Sequence, residues 1–229
     1  MFEVRVVCEG PTDFPVVAAA LDAHLQREYL LKQIQPESSL YGGAAGLYGG
    51  GWKGVRGWCR SVKEAGGFEA VRALPKHGLL VIHVDADIAG DAEIDVDQPC
   101  PPPMATVKAL KRVVLDWLGL NEIPERVVLC IPSKSTEAWL LRAFFPDDPA
   151  AVSCSLVGPQ DACVECIPDP AHDLLNRTPR FVRMKDKVLK KNRKEYEACQ
   201  NRLSKVWHDV VANCASAEWF DQQLRRALR

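Results

Sequence analysis

The period of the apolar positions changes several times along this chain. Residues 3–8, EVRVVC, alternate and are rich in β-branched side chains, which predicts an opening strand that stops at the Gly10-Pro11 turn. A helix should start at once, with Asp13 as its N-cap, Pro15 in the first turn, and Val17, Leu21 and Leu25 on one face. Residues 39–58 hold too many glycines for regular structure throughout, so a loop is expected there, then a short helix from Cys59 to Ala65. LLVIHV, residues 79–84, is a nearly unbroken apolar run, the pattern of a strand covered on both faces. Residues 88–103, IAGDAEIDVDQPCPPP, read as a loop, and residues 104–120 regain a helical period that ends near Gly119. VVLCI, residues 127–131, predicts another buried strand closed by Pro132, and a helix from Ser135 sets Ala138, Leu141 and Phe145 at helical spacing. Residues 146–177 are rich in Pro, Asp and Cys and look irregular, and two helices are expected from Lys185 onward.

Buried-type strands alternating with helices predict an α/β fold with a mainly parallel sheet flanked by helices. The natural division is a catalytic-type domain over residues 1–145 and a small, mainly helical extension over 146–229. There is no internal repeat. The 229 residues are 47% hydrophobic and 26% charged, ordinary globular values, and net charge is −1, so nucleic acid could be held only by a local patch. Nine scattered cysteines are expected to be mostly reduced thiols of a cytoplasmic protein. The N-terminus reads as a strand rather than a cleavable leader, and no window approaches the ~18 apolar residues of a membrane span.

The chemistry is suggested by acids at strand ends. Open parallel sheets bind ligands outside the C-terminal ends of their strands. Glu9 follows the first strand, Asp85 and Asp87 follow LLVIHV as HVDAD, and Glu137 lies one short turn after VVLCI. Each acid alone has an ordinary explanation: acids after strands cap turns, and a glutamate in a first helical turn suits the helix dipole. Together, on neighbouring strands, they would converge, and clustered carboxylates are best tolerated around cations. Hard oxygen ligands suit Mg²⁺ or Mn²⁺, and such ions support phosphodiester cleavage.

Other features admit two readings each. Lys53, Arg56 and Arg60 lie among Trp52 and Trp58 in and beside the glycine-rich stretch, which suits either a phosphate grip or a surface loop. It lacks the string of a nucleotide P-loop. Asp91, Glu93, Asp95 and Asp97 read as a solvated acidic loop before they read as metal ligands, and His83 reads as a hydrogen-bonded core histidine before a catalytic one. Cys154, Cys163, Cys166 and His172 give C-x8-C-x2-C-x5-H, either a small zinc site or unbound loop residues. From Thr178 to Lys194, Arg180, Arg183, Lys185, Lys187, Lys190, Lys191, Arg193 and Lys194 face only Asp186 as a counter-charge. That is either a track for a nucleic-acid backbone or a solvated face.

The E-G of Glu9-Gly10 and the D-x-D of Asp85 and Asp87 resemble the pattern of the Toprim domain, the metal-binding α/β module of topoisomerases, primases and OLD-type nucleases. EGPTD is most similar to the nuclease-like branch, STEAWLL (135–141) resembles its recurrent E-A-W-L segment, and NCASAEWFDQQL (213–224) resembles its closing helix. The resemblance implies a Mg²⁺- or Mn²⁺-dependent nuclease with Glu9 as ligand or acid/base and Asp85 and Asp87 as ligands. It also implies a setting in bacterial anti-phage defence beside a separately encoded ATPase. By the same likeness Lys185 is a candidate to reach the metal crevice. Two alternatives stand beside it: a catalytically silent Toprim-like subunit that binds a partner ATPase or nucleic acid, and another phosphoryl-transfer enzyme.

Overall fold

The computed structural model describes residues 1–25, 28–36, 47–156 and 163–229. At its centre, β1 (Phe2–Val7), β2 (Tyr29–Gln35), β3 (Gly78–His83) and β4 (Val127–Cys130) form one sheet in the order β2-β1-β3-β4. Every pairing in that sheet is parallel. β3 and β4 are buried at every position, as their unbroken apolar runs require, whereas edge strand β2 alternates between half-buried and exposed positions over Tyr29–Lys32 and is fully buried only at Gln35. Sequence reasoning passed over β2, because YLLKQIQ carries a lysine and two glutamines at that edge.

Alternation along each strand feeds two cores. Val4, Val6, Leu79, Val81, Val128 and Cys130 face one layer, which also holds Val17 and Leu21 of α1 (Asp13–His24) and Trp139 of α4 (Thr136–Phe144). Val7, Leu80, Ile82, Val127 and Leu129 face the other, where α2 (Gly51–Glu64) brings Val55 and Trp58 and α3 (Pro103–Leu118) brings Val107 and Leu110. The fold is therefore the expected mainly parallel, Rossmann-like α/β sheet with helices on both faces and a helical C-terminal extension.

That extension is built into the first core. α5 (Pro170–Arg177) leads to a hairpin of β5 (Val182–Lys185) and β6 (Val188–Lys191), then to α6 (Arg193–Asn213) and α7 (Ala215–Ala227). Trp207 of α6 and Phe220 of α7 close on Trp139 with ring centroids 5.4 and 6.1 Å away. α7 also covers the open edge of β4: the Gln223 amide donates to the Leu129 carbonyl at 3.0 Å and accepts from its N–H at 3.2 Å. An edge strand is thus satisfied by one side chain rather than by another strand.

Three expectations change. The helix after the glycines begins at Gly51, not Cys59, so Lys53 and Arg56 stand on α2 rather than on a loop; residues 37–46 of that stretch lie outside the described residues. Gly54 is required where α2 meets the turn before it and the end of β2: a Cβ there would lie 2.4 Å from the Gly49 carbonyl oxygen and 2.7 Å from Gln35 Nε2. Lys185 does not open a helix. It ends β5, and the turn through Asp186 and Lys187 has positive φ at both, 52° and 61°, as a tight two-residue hairpin demands. Asp13 is the first residue of α1 rather than its cap, which is Thr12.

Candidate functional site

All the strand-end acids lie at the C-terminal edge of the parallel sheet, because that is where β1, β3 and β4 release the chain. Glu9 is set by two backbone contacts: its Oε1 accepts the Asp85 N–H at 2.8 Å, and its carbonyl accepts the N–H of Gly51 at 2.8 Å. Asp85 leaves β3 and in turn accepts the Thr136 N–H at 3.2 Å, which ties β3 to the start of α4. Asp13 is buried at the start of α1 and accepts the Gly10 N–H at 2.9 Å. Between these two acids sits His83, fully buried, with Nε2 3.2 Å from Asp85 and Nδ1 3.9 Å from Asp13.

Glu137 is the most buried acid of this crevice, with 0% exposure. Its Oε1 accepts from both Tyr196 of α6 and Lys191 of β6, the latter at 2.8 Å. The same ammonium lies 3.9 Å from Asp13. The other oxygen, Oε2, is buried, and so is Ser135 Oγ two residues earlier; neither reaches ideal hydrogen-bond geometry, but the Ser135 hydroxyl lies close enough to help hold Glu137 low. Buried polar groups in native folds are paired or hold a ligand, and a carboxylate and a hydroxyl facing each other beside clustered acids suit either.

The electrostatics agree. Glu9 is held well above the usual carboxylate range by burial and by Asp85, with His83 opposing. Asp13 is raised by burial, against the pull of His83 and Lys191. Asp87 turns to the exposed rim, where crowding by the protein and the charge of Asp85 push its carboxyl up to about 7. Burial alone would raise Glu137 too, but the charge and hydrogen bond of Lys191 and the Tyr196 hydroxyl hold it below the usual range. His83 is lifted to about 9 because Asp13 and Asp85 outweigh its burial. Five carboxyls thus crowd one imidazole and one ammonium, and Glu9, Asp13 and Asp87 hold their protons in response. That is the condition a bound cation relieves.

The donor set is carboxylate and hydroxyl oxygen with one imidazole, which fits a hard divalent ion. Asp13, His83 and Asp85 offer ligand atoms within 4.8 Å of one another, and no ion's identity follows from that geometry alone.

The predicted acids Glu9, Asp85 and Glu137 are thus joined by direct hydrogen bonds or shared partners, with Asp87 at the rim. Sequence reasoning missed Asp13, Ser135 and Tyr196 as site residues. The D of E-G-P-T-D and the S of S-T-E were the available signals. It also picked the wrong lysine for the crevice: Lys185 is exposed, and Lys191, six residues on, reaches in.

The predicted nucleic-acid contacts divide. Lys53 and Arg56 both pair with Glu93 and lie against the Trp52 ring, so their charge is already engaged. Arg180 pairs with Glu195 at 2.9 Å. Arg183, Lys185, Lys187 and Lys190 are exposed on the β5–β6 hairpin with no ion pair among the described residues. The zinc expectation changes as well. His172 is exposed and its ring lies near Asn176, away from the thiols, while Cys154 pairs with Cys163 and Cys166 with Cys100 as disulfides. The remaining cysteines, Cys8, Cys59, Cys130, Cys199 and Cys214, are free thiols, so the expectation of mostly reduced cysteines needs amending for two pairs.

No protein-family model matches this chain, and no curated protein or solved structure matches it significantly. What the fold and crevice define is a Rossmann-like α/β protein with an acidic cluster at its sheet edge. Among the described residues no helix is long and apolar enough to cross a membrane.

Proposed function

We propose that this protein is a divalent-metal-dependent nuclease of the Toprim type, hydrolysing phosphodiester bonds of DNA or RNA. The observation that carries this reading is the meeting of Glu9, Asp13, Asp85 and Glu137 at one sheet edge, linked through the Asp85 N–H, Thr136 and Lys191. In it, Asp13, Asp85, Asp87 and Glu137 would hold Mg²⁺ or Mn²⁺, with Glu9 beside them as the acid/base. The ion supplies charge neutralisation at the scissile phosphate and a more acidic water.

The chain's own groups supply the rest. Glu9, whose carboxyl stays protonated more readily than an ordinary glutamate, exchanges the proton of the attacking water. His83 braces Asp13 and Asp85 from behind. Lys191 and Tyr196 fix one oxygen of Glu137, which orients the carboxylate as a ligand. The exposed cations of the hairpin hold flanking phosphates without reading bases. The resemblance adds a cytoplasmic setting in anti-phage defence with a separately encoded ATPase as partner.

A second reading, a silent subunit that binds a partner or nucleic acid, is favoured by one observation. The Lys191 ammonium already neutralises part of the cluster without any metal. Calorimetric titration with Mg²⁺ and Mn²⁺, beside cleavage of labelled DNA and RNA, separates the two. The nuclease reading expects metal binding and cleavage that Asp85→Asn and Glu137→Gln abolish. Cleavage unchanged in both variants, or no metal binding, counts against it.

A further inference from the structure

Away from the acidic crevice, a second cluster of ligand-type side chains lies between the two halves of the chain. Cys100 belongs to the proline-rich stretch that precedes α3, Cys154 follows a short 3-10 turn at Pro149–Ala151, and Cys163 and Cys166 frame another at Val164–Cys166. Cys100 lies 66 residues before Cys166, whereas Cys154 and Cys163 are 9 apart. The sulfurs of Cys154, Cys163 and Cys166 nevertheless all lie within 4.8 Å of one another, and Cys100 is bonded to Cys166. A tetrahedral zinc with Zn–S near 2.3 Å sets its four sulfurs about 3.8 Å apart, so sulfurs already gathered within 4.8 Å need only small shifts to surround one once the disulfides open.

The scaffold under the sulfurs is rigid. Glu165, between Cys163 and Cys166, is fully buried and accepts the N–H groups of Ala215 and Ser216 at 2.6 and 2.9 Å, capping the start of α7. Its carbonyl accepts the Ser133 hydroxyl at 2.7 Å. The Val164 N–H donates to Val152 at 2.9 Å, which brings the Cys154 segment alongside. Cys163 and Cys166 are thereby presented at C-x-x-C spacing on a fixed turn, as structural zinc sites present two of their ligands. Cysteine usage points the same way. Five thiols stay free and four of those are buried, which suits a reducing compartment, where clustered cysteines hold a metal rather than disulfides.

We propose that in the reduced protein Cys100, Cys154, Cys163 and Cys166 bind a structural Zn²⁺ through four thiolates. The ion ties the loop that follows Asp85 and Asp87 to the segment that caps α7. The disulfide-bonded and zinc-bound forms are two states of the same sulfurs. A thiol reductant gives each disulfide two electrons and two protons and is itself oxidised to a disulfide. The four thiols then pass their protons to solvent as their sulfurs bind Zn²⁺. Cys100, not His172, is the fourth ligand.

The test is zinc content by elemental mass spectrometry on full-length protein made in zinc-supplemented medium and kept under thiol reductant. The expected result is about one zinc per chain in the wild type, in His172→Ala and in Asp85→Asn, with loss of most of it in Cys100→Ser and Cys163→Ser. Co²⁺ replacement in the wild type should give the thiolate-to-cobalt charge-transfer band and intense visible bands of a tetrahedral four-sulfur site, so the answer does not depend on a variant folding. The proposal is overturned by zinc-free reduced wild type with all its thiols titratable. It is also overturned by full zinc in Cys100→Ser, or by zinc lost in Asp85→Asn and kept in Cys163→Ser, which would put the ion in the acidic crevice. None of these readouts uses nuclease activity, so failure here leaves the proposed function standing.

Discussion

Replacing Lys191 with methionine keeps the side chain's stem and removes the ammonium that links Glu137 to Asp13. Glu137 is completely buried, and the lysine side chain is 31% exposed. Breaking a buried pair by deleting one partner costs about 3–5 kcal/mol, and the partial exposure argues for the lower end, about 3 kcal/mol. In a chain of this size that lowers the melting temperature by about 6–12 °C. The sign with pH follows from both partners. Glu137 is lowered in the fold, so its contribution is present above the ordinary glutamate value of about 4.3 and fades as pH falls through the folded value. Lys191 is raised, so its contribution is present below the ordinary lysine value of about 10.4 and fades only at higher pH. The deficit should therefore be full between about pH 5 and 10. The assay is a double-mutant cycle with Glu137→Gln, followed by chemical denaturation at pH 7.5 in a chelator. A coupling energy of about 2 kcal/mol or more is expected. If the two substitutions simply add, within about 0.5 kcal/mol, the pair is not what holds this corner of the crevice and the reasoning fails.

In chelator, the protein should lose stability as pH rises from about 4 to 7, because Glu9, Asp13 and Asp87 bind protons more tightly folded than unfolded. Saturating Mn²⁺ at about 100 times its dissociation constant should restore about 2.7 kcal/mol at pH 7.5; thermal melts that ignore both pH and metal would contradict this. Gln223→Leu removes both bonds to the backbone of β4 and should cost about 1–3 kcal/mol in urea denaturation, with Gln223→Glu, which keeps one acceptor and loses the donor, no better. Changing Lys185, Lys187 and Lys190 together to alanine should leave the melting temperature within about 2 °C, since all three are exposed. The same variant should flatten the log–log salt dependence of nucleic-acid binding by about 2–3 in slope, and an unchanged slope would remove the hairpin from the substrate path.

How far the sequence reaches can be judged strand by strand. β3 and β4 announce themselves because a strand covered on both faces must be apolar at consecutive positions, a pattern that needs no partner to be recognised. β2 does not, since an edge strand is half solvated and its lysine and glutamines hide the period. The β5–β6 hairpin was missed for a different reason. Its turn uses Asp186-Lys187, whose positive φ values come from the geometry of the ladder and not from a glycine that would have advertised them. Glu9, Asp85, Asp87 and Glu137 were readable as candidates because each follows a strand, and the parallel topology delivers strand ends to one edge.

By itself, the amino-acid order determined β1, β3 and β4, the burial of β3 and β4, and the acids at their ends, since these depend on local period and on a general rule of parallel sheets. Only the tertiary structure decided which lysine enters the crevice, that Asp13, Ser135 and Tyr196 belong to it, and that Cys100 meets Cys166 across 66 residues. Lys191 is one of eight cations in a short stretch, and nothing local separates it from Lys185 or Lys190. The difference is the reach of its side chain from β6 toward a buried glutamate on another element, and contact between distant segments is set by packing, which sequence period does not encode.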